Sequence, residues 1–157
     1  MKLLFVCTHN ACRSILAEVI TRQLLGDQVV VRSAGSNPAG RIHPLTLRFL
    51  EDKGYNTKEL ASQSFDDVRD FDPDIVITVC DRAAAEACPA WLGPAARVHW
   101  GLPDPSHSEG DEQAKLLAFE AVMQILASRL TALEELDLAS LQPYELAETM
   151  QTMEGRT

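Results

Sequence analysis

Cys7-Thr8-His9-Asn10-Ala11-Cys12-Arg13-Ser14 puts a thiol and a guanidinium at a spacing suited to chemistry on an oxyanion. The apolar run Leu3-Leu4-Phe5-Val6 precedes this stretch, and a helix-like pattern from Ile15 to Leu25 follows it. A cysteine, five residues and an arginine between a strand and a helix make a cradle. The N–H groups of such a loop converge on one point, and the next helix adds its positive N-terminal end. Arg13 brings a planar fork that matches two oxygens of a tetrahedral anion. A cradle built for an oxyanion also suits the thiolate of Cys7, and the thiolate is the nucleophilic form. Ser14 is placed to hydrogen-bond that sulfur. Thr8, His9, Asn10, Ala11, Cys12, Arg13 and Ser14 are therefore expected to line the anion site, with Cys7 and Arg13 acting in the chemistry. The plainer alternative is a buried cysteine beside an unrelated surface arginine, and it leaves the agreement of strand, loop, spacing and helix unexplained.

Two further places carry reactive groups. Asp104 lies between Pro103 and Pro105. Pro103 fixes its own φ, and Pro105 biases Asp104 toward extended backbone. A carboxylate held this way suits general acid work on a departing oxygen, although an aspartate here is also an ordinary turn former. Cys80 and Cys88 flank Asp81-Arg82-Ala83-Ala84-Ala85-Glu86-Ala87, a run of strong helix propensity. A helix from Cys80 to Cys88 would hold their Cα atoms ~12 Å apart at ~1.5 Å per residue. A disulfide needs them within ~7 Å. If the pair bonds, the segment must unwind or loop out, and Pro89 marks a stop for it.

The elements that must position these groups follow from periodicity. Strands are predicted at Lys2 to Val6, Val29 to Val31, Asp74 to Val79 and Arg97 to Trp100. Helices are predicted at Arg13 to Leu25, Pro44 to Lys53, and Glu109 to Leu136, where apolar residues recur every three or four positions. A short helix is predicted at Ser64 to Asp70 with Ser64 as its cap. Ser33 to Arg41, with two Gly and a Pro, reads as a loop. Strands alternating with helices imply an α/β three-layer sandwich with a four-stranded parallel sheet, Rossmann-like in character. Cys7, Cys80 and Asp104 each follow a strand, so all fall on the sheet edge where ligands bind. One domain is expected over 1–136. Residues 137–157 form a C-terminal extension in which Pro143 to Met153 can make a short helix.

With 157 residues, 46% hydrophobic and 24% charged, the chain has an ordinary globular composition. Its net charge of −9 comes without any basic cluster, so no nucleic-acid partner is expected. No signal-peptide pattern opens the chain, and no uninterrupted apolar run approaches the ~18 residues of a membrane span. A cytoplasmic protein with no membrane partner is expected. In a reducing compartment its four cysteines read as catalytic or redox-active rather than as a disulfide frame. His43, His99 and His107 lack metal-ligand spacing with the cysteines, so no metal is expected. Trp91 and Trp100 read as packing residues.

The cradle, Ser33-Ala34-Gly35, the stretch from Val79-Cys80 through Cys88-Pro89, and Trp100-Gly101-Leu102-Pro103-Asp104-Pro105 resemble the low-molecular-weight tyrosine phosphatase superfamily. Within it they look most like the arsenate reductases built on that scaffold, from about Lys2 to about Leu136. The resemblance implies the low-molecular-weight phosphatase-like fold and reduction of arsenate to arsenite, an arsenic-detoxifying activity. It implies that Cys7 attacks arsenic while Asp104 protonates the leaving hydroxyl. Cys80 then attacks Cys7, arsenite leaves, and Cys88 resolves the Cys7–Cys80 disulfide into Cys80–Cys88. Thioredoxin reduces that bond, with glutaredoxin plus glutathione as the other candidate reductant. Phosphate or sulfate would mimic the substrate. Protein thiols carry both electrons, so no organic cofactor is implied. The alternative within the superfamily is a phosphotyrosine phosphatase using Cys7, Arg13 and Asp104. Phosphatases carry an aromatic residue after this Asp-Pro pair, where Ser106 and His107 stand here. A third class is a redox-sensing or phosphate-binding protein. Cys12 is either an auxiliary partner for Cys7 or a packed loop residue. In some reductases of this type, residues resembling Asn10, Glu18, Ser33 and Asp66 hold a monovalent cation, though each also has a structural explanation.

Arg13→Lys tests the cradle at its most specific point. Lysine keeps the charge but cannot present two parallel donors, so calorimetry should show clearly weaker binding of phosphate or arsenate. Unchanged affinity would count against a direct contact.

Overall fold

A computed structural model describes residues 1–85, 89 and 92–155 of the chain. The expectations for Cys88 and Trp91 therefore lie outside the described residues. Strand β1, Lys2–Cys7, is buried from Leu3 onward, as its continuous apolar run demands. It is followed by α1 (Arg13–Leu25), β2 (Val30–Gly35), α2 (Pro44–Asp52), β3 (Ile75–Thr78), α3 (Asp81–Ala85), β4 (Ala96–His99), α4 (Glu112–Glu134) and α5 (Pro143–Thr152). The four strands form one parallel sheet in the order β2-β1-β3-β4. Helices cover both sides of it. α1 packs on β1, β2 and α4, whereas α3 and α5 pack on β3, with α5 also on β4. The chain leaves β1 for β2 on one side, then returns past β1 to β3 on the other. Such a reversal opens a crevice at the C-terminal ends of the two central strands. Cys7 ends β1, and Cys80 lies just past the end of β3.

β2 differs from its expected extent. It runs on through Ser33, Ala34 and Gly35, residues whose neighbourhood reads as loop. The reason is its partner. β1 and β2 stay in register to the pair Cys7 and Gly35, and Gly35 lets the two backbones approach. A Cβ there would lie 2.5 Å from Thr8 O, 2.9 Å from Cys7 O and 3.0 Å from Asn10 N. Elsewhere the differences are at element ends. α4 begins at Glu112, because the Asp111 side chain accepts from Ala114 N and caps it there. The helix expected near Ser64 is a 3-10 turn, Asp66–Phe71. Ser64 and Asp67 exchange hydrogen bonds at its start, each backbone N–H donating to the other's side chain.

α4 has the length and average hydropathy of a helix able to cross a membrane, a property that a search for uninterrupted apolar runs misses. Its Phe119, Val122, Met123, Leu126, Leu130 and Leu133 are buried within the protein. The chain after α4 folds back onto the sheet. Leu138, Leu146 and Met150 are buried, the Trp100 indole N–H donates to Met150 O at 2.6 Å, and the Gln151 amide bonds both the N–H and the C=O of His99. Trp100 is wholly buried against Phe5 and the Arg129 guanidinium, the packing role expected of it.

The approach at Gly35 leads to an expected outcome. Gly35→Ala must push the ends of β1 and β2 apart, because every atom in the way is backbone. Thermal or denaturant unfolding should show a loss of about 1–3 kcal/mol, as overpacking of a tight site does, together with weakened phosphate binding. A variant of wild-type stability and affinity would mean that the two strand ends are free to separate.

Candidate active site

The loop after β1 is shaped by where its carbonyls go. Thr8 O accepts from Asn37 N, His9 O from Ala39 N and from the Ser62 hydroxyl, and Ala11 O from His43 N and the Thr46 hydroxyl, at 2.9–3.1 Å. Cys12 O accepts from Leu16 N at 2.9 Å and starts α1. With these carbonyls bonded by donors outside the loop, its N–H groups are available to form an anion nest. Asn10 makes the turn, with a left-handed φ of +46° that asparagine tolerates better than most residues. Its buried side chain is the hub of the loop. Nδ2 donates to Ser14 Oγ at 2.7 Å and to Ser33 Oγ at 3.0 Å, and Oδ1 accepts from Gln63 N at 2.8 Å. No side chain caps the N-terminus of α1, so its first N–H groups are also available to an anion there.

Cys7 is buried at the base, with Sγ 2.9 Å from Ser14 Oγ. Ser14 already accepts a hydrogen bond from Asn10, so its own proton is available to the sulfur. Arg13 stands at the rim. Its NH1 donates to Leu102 O at 3.1 Å, and NH2 lies 3.5 Å from Asp104 Oδ2. Asp104 is held in turn by Ser106, whose N–H and hydroxyl both donate to Oδ1, at 3.0 and 2.6 Å. Pro105 opens the 3-10 turn Pro105–His107 that Asp104 caps. The aspartate is thus fixed through one oxygen, and the other faces Arg13, with exposed His107 at 3.6 Å. This is the posture of a general acid beside an oxyanion site.

Cys80 is buried next to the cradle. Its Sγ lies 3.8 Å from Thr8 Oγ1 and accepts from Ala83 N at 3.3 Å, so the sulfur caps α3. Helix is present at Asp81–Ala85, the described part of the expected segment. Cys7, Cys12 and Cys80 are free thiols. Burial pushes the Cys12 thiol up to about 12, with Thr46 and Arg13 opposing and Asp104 and Cys7 adding to the shift. At neutral pH Cys12 is a packed thiol rather than a second nucleophile. His9 is exposed at the mouth.

The oxygens that a monovalent cation would need are already engaged by donors. Asn10 Oδ1 is used by Gln63 N, and Ser33 donates to Glu18 Oε1 at 2.6 Å. Arg22 donates to Glu18 Oε2 at 2.9 Å, while Asp66 is exposed. These residues do not fit a cation. Among the described residues, no group of three or more His, Cys, Asp or Glu side chains is placed to hold a metal. Sequence reasoning missed Thr46, Ser62 and Gln63, whose contacts join distant segments. It also missed Arg22, although its four-residue spacing from Glu18 on a helix was a usable signal.

Over residues 2–144 the chain matches the family described as low molecular weight phosphotyrosine protein phosphatase. An arsenate reductase from Halalkalibacterium halodurans is 34% identical over 131 residues, 83% of this chain and 93% of the relative. A solved arsenate reductase in the phosphate binding state is similar, with a TM-score of 0.68 at 27% identity over 85% of this chain and 95% of that one. A thioredoxin-dependent arsenate reductase from Corynebacterium glutamicum gives a TM-score of 0.59 at 30% identity, covering 83% of this chain and 62% of that one.

The buried Cys12 thiol has a consequence for stability. Its ordinary value of 9.0 holds in the unfolded chain, and about 12 holds in the fold. Above pH 9 the unfolded state loses this proton while the native state keeps it. The stabilisation is complete below pH 9 and is lost as pH rises toward 12. Denaturant unfolding should therefore show wild-type stability falling more steeply than that of Cys12→Ala above this point, by about 1.4 kcal/mol per pH unit. Equal slopes would mean that Cys12 ionises as easily in the fold as out of it.

Proposed function

The chain belongs to the low molecular weight phosphotyrosine protein phosphatase family, and we propose that it is an arsenate reductase that recycles through its own cysteines. The nest and Arg13 bind arsenate. The Cys7 thiolate attacks arsenic(V), and Asp104 gives a proton to the departing hydroxyl, which leaves as water. Cys80, as thiolate, attacks the Cys7 sulfur of the adduct. The sulfur–arsenic bond breaks with its electron pair staying on arsenic, so arsenite is released and a Cys7–Cys80 disulfide remains. Cys88 then attacks Cys80, freeing the Cys7 thiolate and leaving Cys80–Cys88. Thioredoxin is the proposed reductant of that bond, a choice supported by the likeness to a thioredoxin-dependent relative. A relay that must be re-reduced after each turnover suits the cytoplasm, where we place the protein.

The observation that carries this reading is Cys80. A phosphatase needs only Cys7, Arg13 and Asp104, and has no use for a second buried thiol. Here that thiol touches Thr8, the residue next to the nucleophile. It also caps α3, so moving the sulfur removes a cap from that short helix.

Cysteine variants test the scheme. Cys7→Ser should abolish both arsenate reduction and any hydrolysis of an aryl phosphate. Cys80→Ser and Cys88→Ser should stop multiple-turnover reduction with thioredoxin but leave weak aryl phosphate hydrolysis, because the cradle is intact. One turnover of Cys88→Ser should trap Cys7–Cys80, readable by peptide mapping. Normal reduction by both distal variants would overturn the relay. Supplying glutaredoxin with glutathione in place of thioredoxin decides the reductant.

A further inference from the structure

We propose that Arg22 is a built-in counter-ion for the support network of the nucleophile, doing in this chain what a bound monovalent cation would otherwise do. Glu18 lies on α1 with its carboxylate buried. A buried carboxylate requires a balancing charge and donors to both oxygens. Ser33 supplies one donor, at 2.6 Å to Oε1. Arg22, one helical turn later, supplies the other and the charge, at 2.9 Å to Oε2. It is itself held by a second bond, to Val31 O of β2, at 3.1 Å. Glutamate four residues before arginine is the favourable order on a helix.

The carboxylate sets the direction of every bond between it and the sulfur. It can only accept, so the Ser33 hydroxyl must donate to it, leaving Ser33 Oγ to accept from Asn10 Nδ2. That fixes the Asn10 amide, with Nδ2 also toward Ser14 and Oδ1 on Gln63 N. Ser14 then accepts from Asn10 and turns its proton to Cys7 Sγ. A continuous chain of bonds thus runs from Arg22 through Glu18, Ser33, Asn10 and Ser14 to the nucleophile. Arg22 touches no reacting atom and is a positioning residue. A cation added to this network would find its oxygens occupied and a guanidinium beside it. The inference rests on Cys7 being the nucleophile, not on the later relay.

The test compares the full chain in choline buffer and in potassium buffer of equal ionic strength. Two readouts are the rate of Cys7 alkylation by iodoacetamide and steady-state arsenate turnover with thioredoxin. Wild type should be indifferent to potassium in turnover, alkylation and thermal midpoint. In choline, Arg22→Met should lower kcat and Cys7 alkylation about three- to tenfold, the net worth of one ordinary hydrogen bond. KM should move less, because Arg13 and the nest remain. Potassium should restore most of that loss in Arg22→Met, and Arg22→Lys should recover most of it without potassium. The double variant E18Q/R22M, with no charge to balance, should show no potassium response. Wild-type dependence on potassium would overturn the proposal even if Arg22→Met does not fold. So would an Arg22→Met loss that potassium leaves untouched, or no loss at all. Should Cys7→Ser retain turnover, the nucleophile assignment fails instead, and alkylation of wild-type Cys7 reports on the network separately.

Discussion

Four backbone carbonyls, those of Thr8, His9, Ala11 and Cys12, turn away from Cys7 and find donors outside the loop. That single constraint makes the site. A backbone whose C=O groups point out presents its N–H groups in, and a set of convergent N–H groups binds an anion without a basic cluster. The constraint reaches well into the fold. It needs donors from the segment after β2, which must therefore pass beside the loop, so β2 must stay paired with β1 as far as Gly35. It needs a left-handed residue at the turn, and Asn10 serves there while bonding Ser14, Ser33 and Gln63.

Residues that act through their own neighbours were legible in the sequence. The Cys7–Arg13 spacing, the strand before it and the helix after it are local patterns, and the structure brings Arg13 and Asp104 together at the site. α4 was legible through periodicity, and the short helix expected from Pro143 is α5, with that proline in its first turn. What was not legible depends on partners far along the chain. Ser33-Ala34-Gly35 looks like loop by propensity, and only the presence of β1 makes it strand. The braces on the loop include main-chain N–H groups of Asn37, Ala39 and His43, which leave no mark on residue type. Cys12 illustrates the same limit in electrostatics. Its position beside Arg13 leaves an auxiliary partner for Cys7 and a packed loop residue both open, and burial, which outweighs that neighbour, pushes its pKa up.

The site also reconciles an acidic chain of net charge −9 with an anionic ligand. At long range the protein repels anions, so affinity must come from groups at contact distance, where desolvated donors outweigh a screened net charge. Arg13 is one such group, and it has a second duty. Its guanidinium ties the start of α1 to the loop after β4 through Leu102 O and Asp104. In the proposed reaction, the fork that would grip the oxyanion thereby also sets where Asp104 stands relative to Cys7. Both Arg13 and Asp104 keep about a fifth of their side chains exposed, so their 3.5 Å contact is a loose one in partly solvated surroundings. A weak pair is what this chemistry requires. A tight, buried Arg13–Asp104 bridge would occupy the guanidinium donors needed by the anion and hold the aspartate as a permanent partner. Ser106 resolves the conflict by anchoring Asp104 through its other oxygen. In the proposed reaction the carboxylate would then stay in place when Arg13 turns its donors to the anion, with Oδ2 the oxygen placed to exchange a proton.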